Sequence, residues 1–89
     1  MTNAVIIRPN DSVVTVIREV KKGERVEYPG CKIEVRANSD IPIYHKVAIV
    51  SKKKGEKLFK YGESIGYATR DISVGDYVHE HNLNSFKPE

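Results

Sequence analysis

Near the end of the chain, Tyr77-Val78-His79-Glu80-His81-Asn82 sets two imidazoles two residues apart. On a strand, Tyr77, His79 and His81 share one face, and Val78 and Glu80 the other. Imidazole nitrogens are common metal ligands, and a pair at i and i+2 can reach one ion. The pair is incomplete, because a stable site takes three or four protein ligands and Glu80 points away on a regular strand. Spacing alone favours the plainer reading of two solvated histidines at a strand end.

A second pair, His45-Lys46, joins Ile41-Pro42-Ile43-Tyr44 to the apolar run Val47-Ala48-Ile49-Val50. A loop that feeds a core strand is a firm mount for reactive side chains. There the chemistry open to His45 is proton transfer near neutral pH, and to Lys46 the holding of a carboxylate as a point charge. Spacing alone favours the plainer reading of an ordinary solvated loop. Lys60-Tyr61-Gly62-Glu63-Ser64-Ile65-Gly66 carries two glycines four apart, giving either a backbone-rich turn that approaches an anion or a simple hairpin. Lys52, Lys53, Lys54, Lys57 and Lys60 form a basic cluster. It reads as a solvated edge rather than a phosphate contact, since no aromatic stacking ladder accompanies it. Cys31 falls on an apolar alternation and is expected in the core. Serine-hydrolase elbows, P-loops, dinucleotide fingerprints and Cys-x-x-Cys pairs do not occur.

These residues need a scaffold, and the pattern predicts a mainly β one. Ala4 to Arg8 reads as a strand stopped by Pro9. Asp11 and Ser12 offer an N-cap, and Val13, Val14, Val16, Ile17 and Val20 then fit one face of a short helix, although their β-branching opposes it. Cys31, Ile33 and Val35 alternate with Lys32, Glu34 and Arg36 as on a half-buried strand. Val47 to Val50, Lys57 to Tyr61, Ile65 to Ile72 and Tyr77 to His81 are further strands, and residues 82–89 read as a tail. A weak repeat recurs in Lys21-Lys22-Gly23-Glu24-Arg25-Val26, Lys53-Lys54-Gly55-Glu56-Lys57-Leu58 and Ser73-Val74-Gly75-Asp76-Tyr77-Val78. Each places a glycine, an acid, a variable residue and an apolar one, which predicts a turn with positive φ feeding a core strand.

Length and composition bound the rest. With 89 residues the chain is expected to be one domain, too small to enclose a full enzyme pocket as well as a core. Hydrophobic residues are 39% and charged residues 30%, as in globular chains. A formal charge of +3 is too small to name nucleic acid as partner. One cysteine excludes an intrachain disulfide, so a reducing, cytoplasmic setting is expected. The first residues lack the charged and apolar regions of a signal peptide, and apolar runs of four do not span a membrane.

Three pieces together resemble one family. They are Ile41-Pro42-x-x-His45-Lys46-Val47-Ala48, Lys60-Tyr61-Gly62-x-x-Ile65-Gly66-x-Ala68-x-x-Asp71-Ile72-x-x-Gly75, and Val78-His79-x-His81-Asn82-Leu83. Their order and spacing resemble the N-terminal SAF domain of altronate and galactarate dehydratases, from about Ile6 to Leu83, and the closing His79-x-His81-Asn82 resembles the altronate branch. The resemblance implies the β-clip fold, a set of short, bent strands. It implies a small subunit that works with a separate large catalytic subunit on a sugar acid and is inactive alone. It also implies a divalent metal, iron or manganese, in the assembled enzyme. On this resemblance His45 and Lys46 are expected to be catalytic, Lys46, Lys60 and Asn82 to bind substrate, and His79 and His81 to meet the metal. The small subunit of sulfolactate sulfo-lyase is similar, and SAF-like domains also serve as non-catalytic carbohydrate-binding modules. Exposed strand edges in the free chain allow a homo-oligomer.

Overall fold

The computed structural model describes residues 2–60 and 62–87. Tyr61, expected at the end of a strand, and Pro88 and Glu89 of the expected tail lie outside them. Nine short strands follow one another among the described residues: β1 (Ala4–Val5), β2 (Val13–Val16), β3 (Arg25–Val26), β4 (Val35–Arg36), β5 (Lys46–Ala48), β6 (Lys57–Lys60), β7 (Glu63–Ala68), β8 (Tyr77–Val78) and β9 (Leu83–Asn84). They form a four-stranded sheet in the order β1-β2-β5-β8, a β3-β4 pair and a β6-β7-β9 sheet, with every pairing antiparallel. The mainly β architecture of short, bent strands is as expected. Among the described residues no helix is long and apolar enough to cross a membrane.

The central sheet lies between two cores. Val14 opposes Val47, and Val47 opposes Tyr77, so these share one face. With Ala4 and Val16 they pack on Val20, Val26, Val35, Ala37 and Ile41. Val13 opposes Ala48 on the other face, where both join Val78, Leu58, Ala68 and Ile72. A strand buried on both faces carries apolar residues without alternation. This corrects the helix expected over Asp11 to Val20. Val13-Val14-Thr15-Val16 is strand β2, its β-branched residues suit a pleated ladder, and Ile17 turns out to solvent. The expected N-cap residues hold the chain differently. Asp11 Oδ1 accepts from Gly62 N at 3.0 Å and Oδ2 from Arg8 N at 3.2 Å, while Ser12 Oγ accepts from Phe59 N at 3.0 Å.

The Gly-acid repeat is a set of matching corners. At Lys21–Glu24, Lys53–Glu56 and Ser73–Asp76 the fourth residue donates its N–H to the carbonyl of the first, at 2.9, 3.0 and 3.0 Å. The glycine at the third place has φ of 84, 91 and 95°, the backbone a type II turn requires. The acid's carboxylate accepts the N–H of the first residue at 3.0, 2.6 and 2.8 Å. Each glycine N–H then donates to the carbonyl of a buried alanine, Ala37, Ala68 and Ala48 respectively, and that alanine donates back to the acid's carbonyl. Such a corner satisfies its backbone locally while turning the chain into the core.

Four further expectations are corrected. Only Val35–Arg36 of the stretch from Cys31 is a strand; Ile33 is exposed, and half-buried Cys31 donates its thiol to the Ile33 carbonyl at 2.9 Å instead of entering the core. The strand expected over Tyr77 to His81 ends at Val78, and residues 79–82 form a turn. Leu83–Asn84 of the expected tail pairs with β7 as β9.

Candidate functional site

A fourth corner carries His45. Along Pro42-Ile43-Tyr44-His45, the His45 N–H donates to the Pro42 carbonyl at 3.1 Å. Tyr44 N donates to Val16 O at 2.8 Å, and Val16 N to His45 O at 3.0 Å, so Val16 serves as the alanine does elsewhere. Tyr44 holds the glycine place with φ 67°, a strained backbone for a bulky residue. His45 holds the acid place. Proline has no N–H, so the first residue of this corner needs no side-chain cap. The His45 ring is therefore available for another contact.

That contact is Tyr77. The β5–β8 pairing sets Val47 opposite Tyr77, which brings the phenol beside the residue just before β5. Tyr77 Oη and His45 Nδ1 share a hydrogen bond of 2.6 Å. The Tyr77 ring also meets both later histidines. His79 stacks on it, with centroids 5.7 Å apart and planes at 8°, and His81 meets it tilted at 5.6 Å. His45 and His79 lie 5.2 Å apart between centroids. Three imidazoles thus surround one phenol at the outer end of the central sheet. His45 and Tyr77 are half-buried, and His79 and His81 are exposed.

The turn that presents His79 and His81 is braced by Asn82, whose side chain is buried. Asn82 Oδ1 accepts from His79 N at 3.0 Å, and Nδ2 donates to Tyr77 O at 2.8 Å. The Asn82 and Leu83 N–H groups both donate to His79 O at 3.0 Å, and Asn82 O accepts from Thr69 N at 3.0 Å. The amide of Asn82 is thus turned inward and engaged with backbone.

The two lysines lie apart from this cluster. Lys46 opposes Val78 and Thr15, on the face of the sheet that carries Ala48, whereas His45 meets Tyr77 on the Val47 face. Lys60 pairs with Glu63 at the tip of the β6–β7 hairpin, beside Asp11 and Gly62. The turn at 79–82 adjoins the other end of β7, about 15 Å away at the rise of a strand. Sequence reasoning missed Tyr77 as a site residue. The signal available was its place in Tyr77-x-His79-x-His81, which set it on the same expected face.

The donor set does not make a metal centre by itself. Among the described residues no group of three or more His, Cys, Asp or Glu side chains is placed to hold a metal ion. His79 and His81 both meet the Tyr77 ring and supply two imidazoles, short of a full ligand set.

The chain matches the family model for the altronate/galactarate dehydratase SAF domain over residues 2–86. It is 40% identical over 85 residues to altronate dehydratase of Bacillus subtilis (strain 168), covering 96% of this chain and 17% of that protein. Altronate dehydratase of Escherichia coli (strain K12) is 35% identical over 75 residues, 84% of this chain and 15% of that protein. The (2R)-sulfolactate sulfo-lyase subunit alpha of Paracoccus pantotrophus is 50% identical over 49 residues, 55% of this chain and 73% of that protein. The chain thus spans less than a fifth of the altronate dehydratases it matches. With a family match across residues 2–86, the chain belongs to the altronate/galactarate dehydratase SAF domain family.

Proposed function

We propose that this chain is the SAF-domain subunit of a carbon–oxygen hydro-lyase of the altronate dehydratase type, adding His45, Tyr77, His79 and His81 to an active site completed by a large catalytic chain. The observation that carries the reading is the His45–Tyr77 hydrogen bond inside a family match. The reaction removes the proton α to a carboxylate and expels the β-hydroxyl as water, and the enol then tautomerises to a 2-keto-3-deoxy acid. Hydroxide is a poor leaving group, so a proton donor at the β-oxygen is the help this chain supplies. Whichever of the two groups donates, the bond occupies Nδ1 and leaves Nε2 as the nitrogen that exchanges a proton with substrate; in the protonated ring Nδ1–H donates to Tyr77 Oη. In the imidazolium, Nε2–H is delivered to the departing hydroxyl, and the neutral ring keeps its Nδ1 proton on the phenol. The α-proton goes to a base on the large chain.

Exposed apolar side chains beside the cluster support a partner there. Ile43 is 44% and Tyr44 71% exposed in the corner that carries His45. A divalent ion, iron or manganese, in the assembled enzyme would draw most of its ligands from that partner, with His79 and His81 as this chain's contribution. Asn82 acts as the brace of their turn. A second reading, a sulfolactate sulfo-lyase subunit, is favoured by the match that covers 73% of the small Paracoccus chain. Assay of the reconstituted complex separates the two. Conversion of altronate to a keto acid supports the hydro-lyase, and release of sulfite from sulfolactate with no action on altronate refutes it.

A further inference from the structure

A sugar acid or a sulfonated hydroxy acid presents an anionic group that a site must hold, yet Lys46 and Lys60 both lie away from the histidine cluster. The cation that does lie there is Arg70. It follows β7 directly, where Thr69 N donates to Asn82 O at 3.0 Å and Thr69 Oγ1 to His81 O at 3.4 Å. These bonds set Arg70 against the histidine turn. Arg70, Tyr77, His81 and Asn38 line a cleft of about 270 Å³. Tyr77 is therefore common to the cleft and to the hydrogen bond with His45.

Among the described residues, Arg70 is the one lysine or arginine that lines the cleft, and its guanidinium is not taken up by a carboxylate. Arg18 pairs with Glu24, and Arg25 and Arg36 both pair with Glu34, but Arg70 makes no ion pair among the described residues. Two carboxylates also line the cleft, and both are committed to corners. Asp71 accepts from Lys54 N at 3.0 Å and lies 3.6 Å from Lys53 Nζ, contacts that hold its carboxyl below the usual range. Asp76 accepts from Ser73 N at 2.8 Å and from Asn38 Nδ2 at 2.7 Å. A guanidinium offers a planar fork of donors that matches two oxygens of one anionic group. The cleft is at the small end of ligand sites, which suits one end of a hydroxy acid.

We propose that Arg70 receives the anionic end of a small hydroxy acid, carboxylate or sulfonate, and lays the carbons next to it against Tyr77 and His81. The proposal rests on the hydro-lyase reading for its substrate class, but its binding test does not. The experiment is a nuclear magnetic resonance titration of the full 89-residue chain. Sodium gluconate, sodium isethionate, neutral glucitol and sodium chloride at matched ionic strength are added separately. Gluconate is expected to shift the Arg70 Nε–H and the His81 ring with millimolar affinity, the range of a single bidentate anion contact. Arg70→Gln should weaken that binding at least tenfold, and Arg70→Lys should fall between, keeping charge but losing the fork. Stronger shifts with gluconate than with isethionate assign the anion as carboxylate, and the reverse as sulfonate. Absent shifts, shifts matched by glucitol or chloride, or shifts unchanged in Arg70→Gln overturn the proposal. In the reconstituted enzyme, Arg70→Gln should raise KM for altronate more than tenfold with a smaller effect on kcat; an unchanged KM also overturns it. A complex that turns over no hydroxy acid refutes the hydro-lyase reading and leaves the titration to decide Arg70.

Discussion

Tyr77 Oη lies 2.6 Å from Nδ1 of His45, a residue 32 positions earlier in the chain. The contact joins the corner before β5 to strand β8, and through the phenol ring it reaches His79 and His81. The phenol thus has two separable roles, a hydrogen-bond partner for one imidazole and a stacking surface for the others.

Substitution separates them. Tyr77→Phe keeps the ring and removes the hydroxyl, so ring-current shifts of His79 and His81 should persist while the His45 ring nitrogens change their tautomer balance. Tyr77→Leu should remove the ring-current shifts as well. Nitrogen-15 spectra of the three histidines check both outcomes. A Tyr77→Phe spectrum with His45 unaltered would show that the hydrogen bond does not fix its tautomer.

Tyr44→Gly should stabilise the isolated chain. Tyr44 occupies the left-handed place that glycine fills in the other three corners, and its ring is mostly solvent-exposed. Relief of that strain is worth about 1–2 kcal/mol, partly offset by the greater freedom of glycine in the unfolded chain. A net gain of about 1 kcal/mol raises the midpoint by about 4–8 °C in a domain this small. Thermal melts of both proteins measure it, and an unchanged or lower midpoint contradicts the reading of Tyr44 as strained.

Gly75→Ala should do the opposite, and severely. A Cβ there would stand 2.1 Å from the Arg36 carbonyl oxygen, on a backbone with φ 95°. Overpacking of about 1–3 kcal/mol adds to the conformational strain. Gly30→Ala is the control, since its φ is 83° but nothing lies within 4 Å of the added carbon. Denaturant unfolding should find the Gly75 variant at least about 1 kcal/mol worse than the Gly30 variant, and equal losses would refute the steric account.

The Tyr28 phenol is pushed up to about 12, first by burial and then by its hydrogen bond with Cys31. The folded state therefore holds this proton more tightly than the unfolded chain, whose tyrosines ionise near 10. Its contribution to stability is complete below about pH 10 and is lost as pH rises towards 12. Tyr28→Phe should flatten the loss of stability across that window, as read by unfolding at successive pH values. An unchanged slope contradicts the assignment.

Local chemistry was the legible part of the sequence. Gly23-Glu24, Gly55-Glu56 and Gly75-Asp76 announced their corners because φ > 0 and an acid cap leave a direct residue signature. The fourth corner was hidden because Tyr44 stands where glycine was the cue. Val13 to Val16 misled because both faces of β2 are buried, which erases the alternation that marks a strand. His45, His79 and His81 stood out by residue type, but the strand invoked for the last two ends at Val78. Tyr77 and Arg70 were missed because their neighbours are set by the β5–β8 pairing and the Thr69–Asn82 bond, which local spacing does not encode.

The proposed function requires His45 to transfer a proton within a site completed by a large chain. The most direct measurement is altronate turnover by the chain alone and by its complex with a large dehydratase chain, each with wild-type and His45→Gln protein. The chain alone should be inactive. In the complex, His45→Gln should lower kcat by about 10²–10⁴-fold, the usual worth of a general acid or base, with subunit assembly intact by gel filtration. Near-normal kcat for an assembled His45→Gln complex, or full turnover by the isolated chain, would contradict the account.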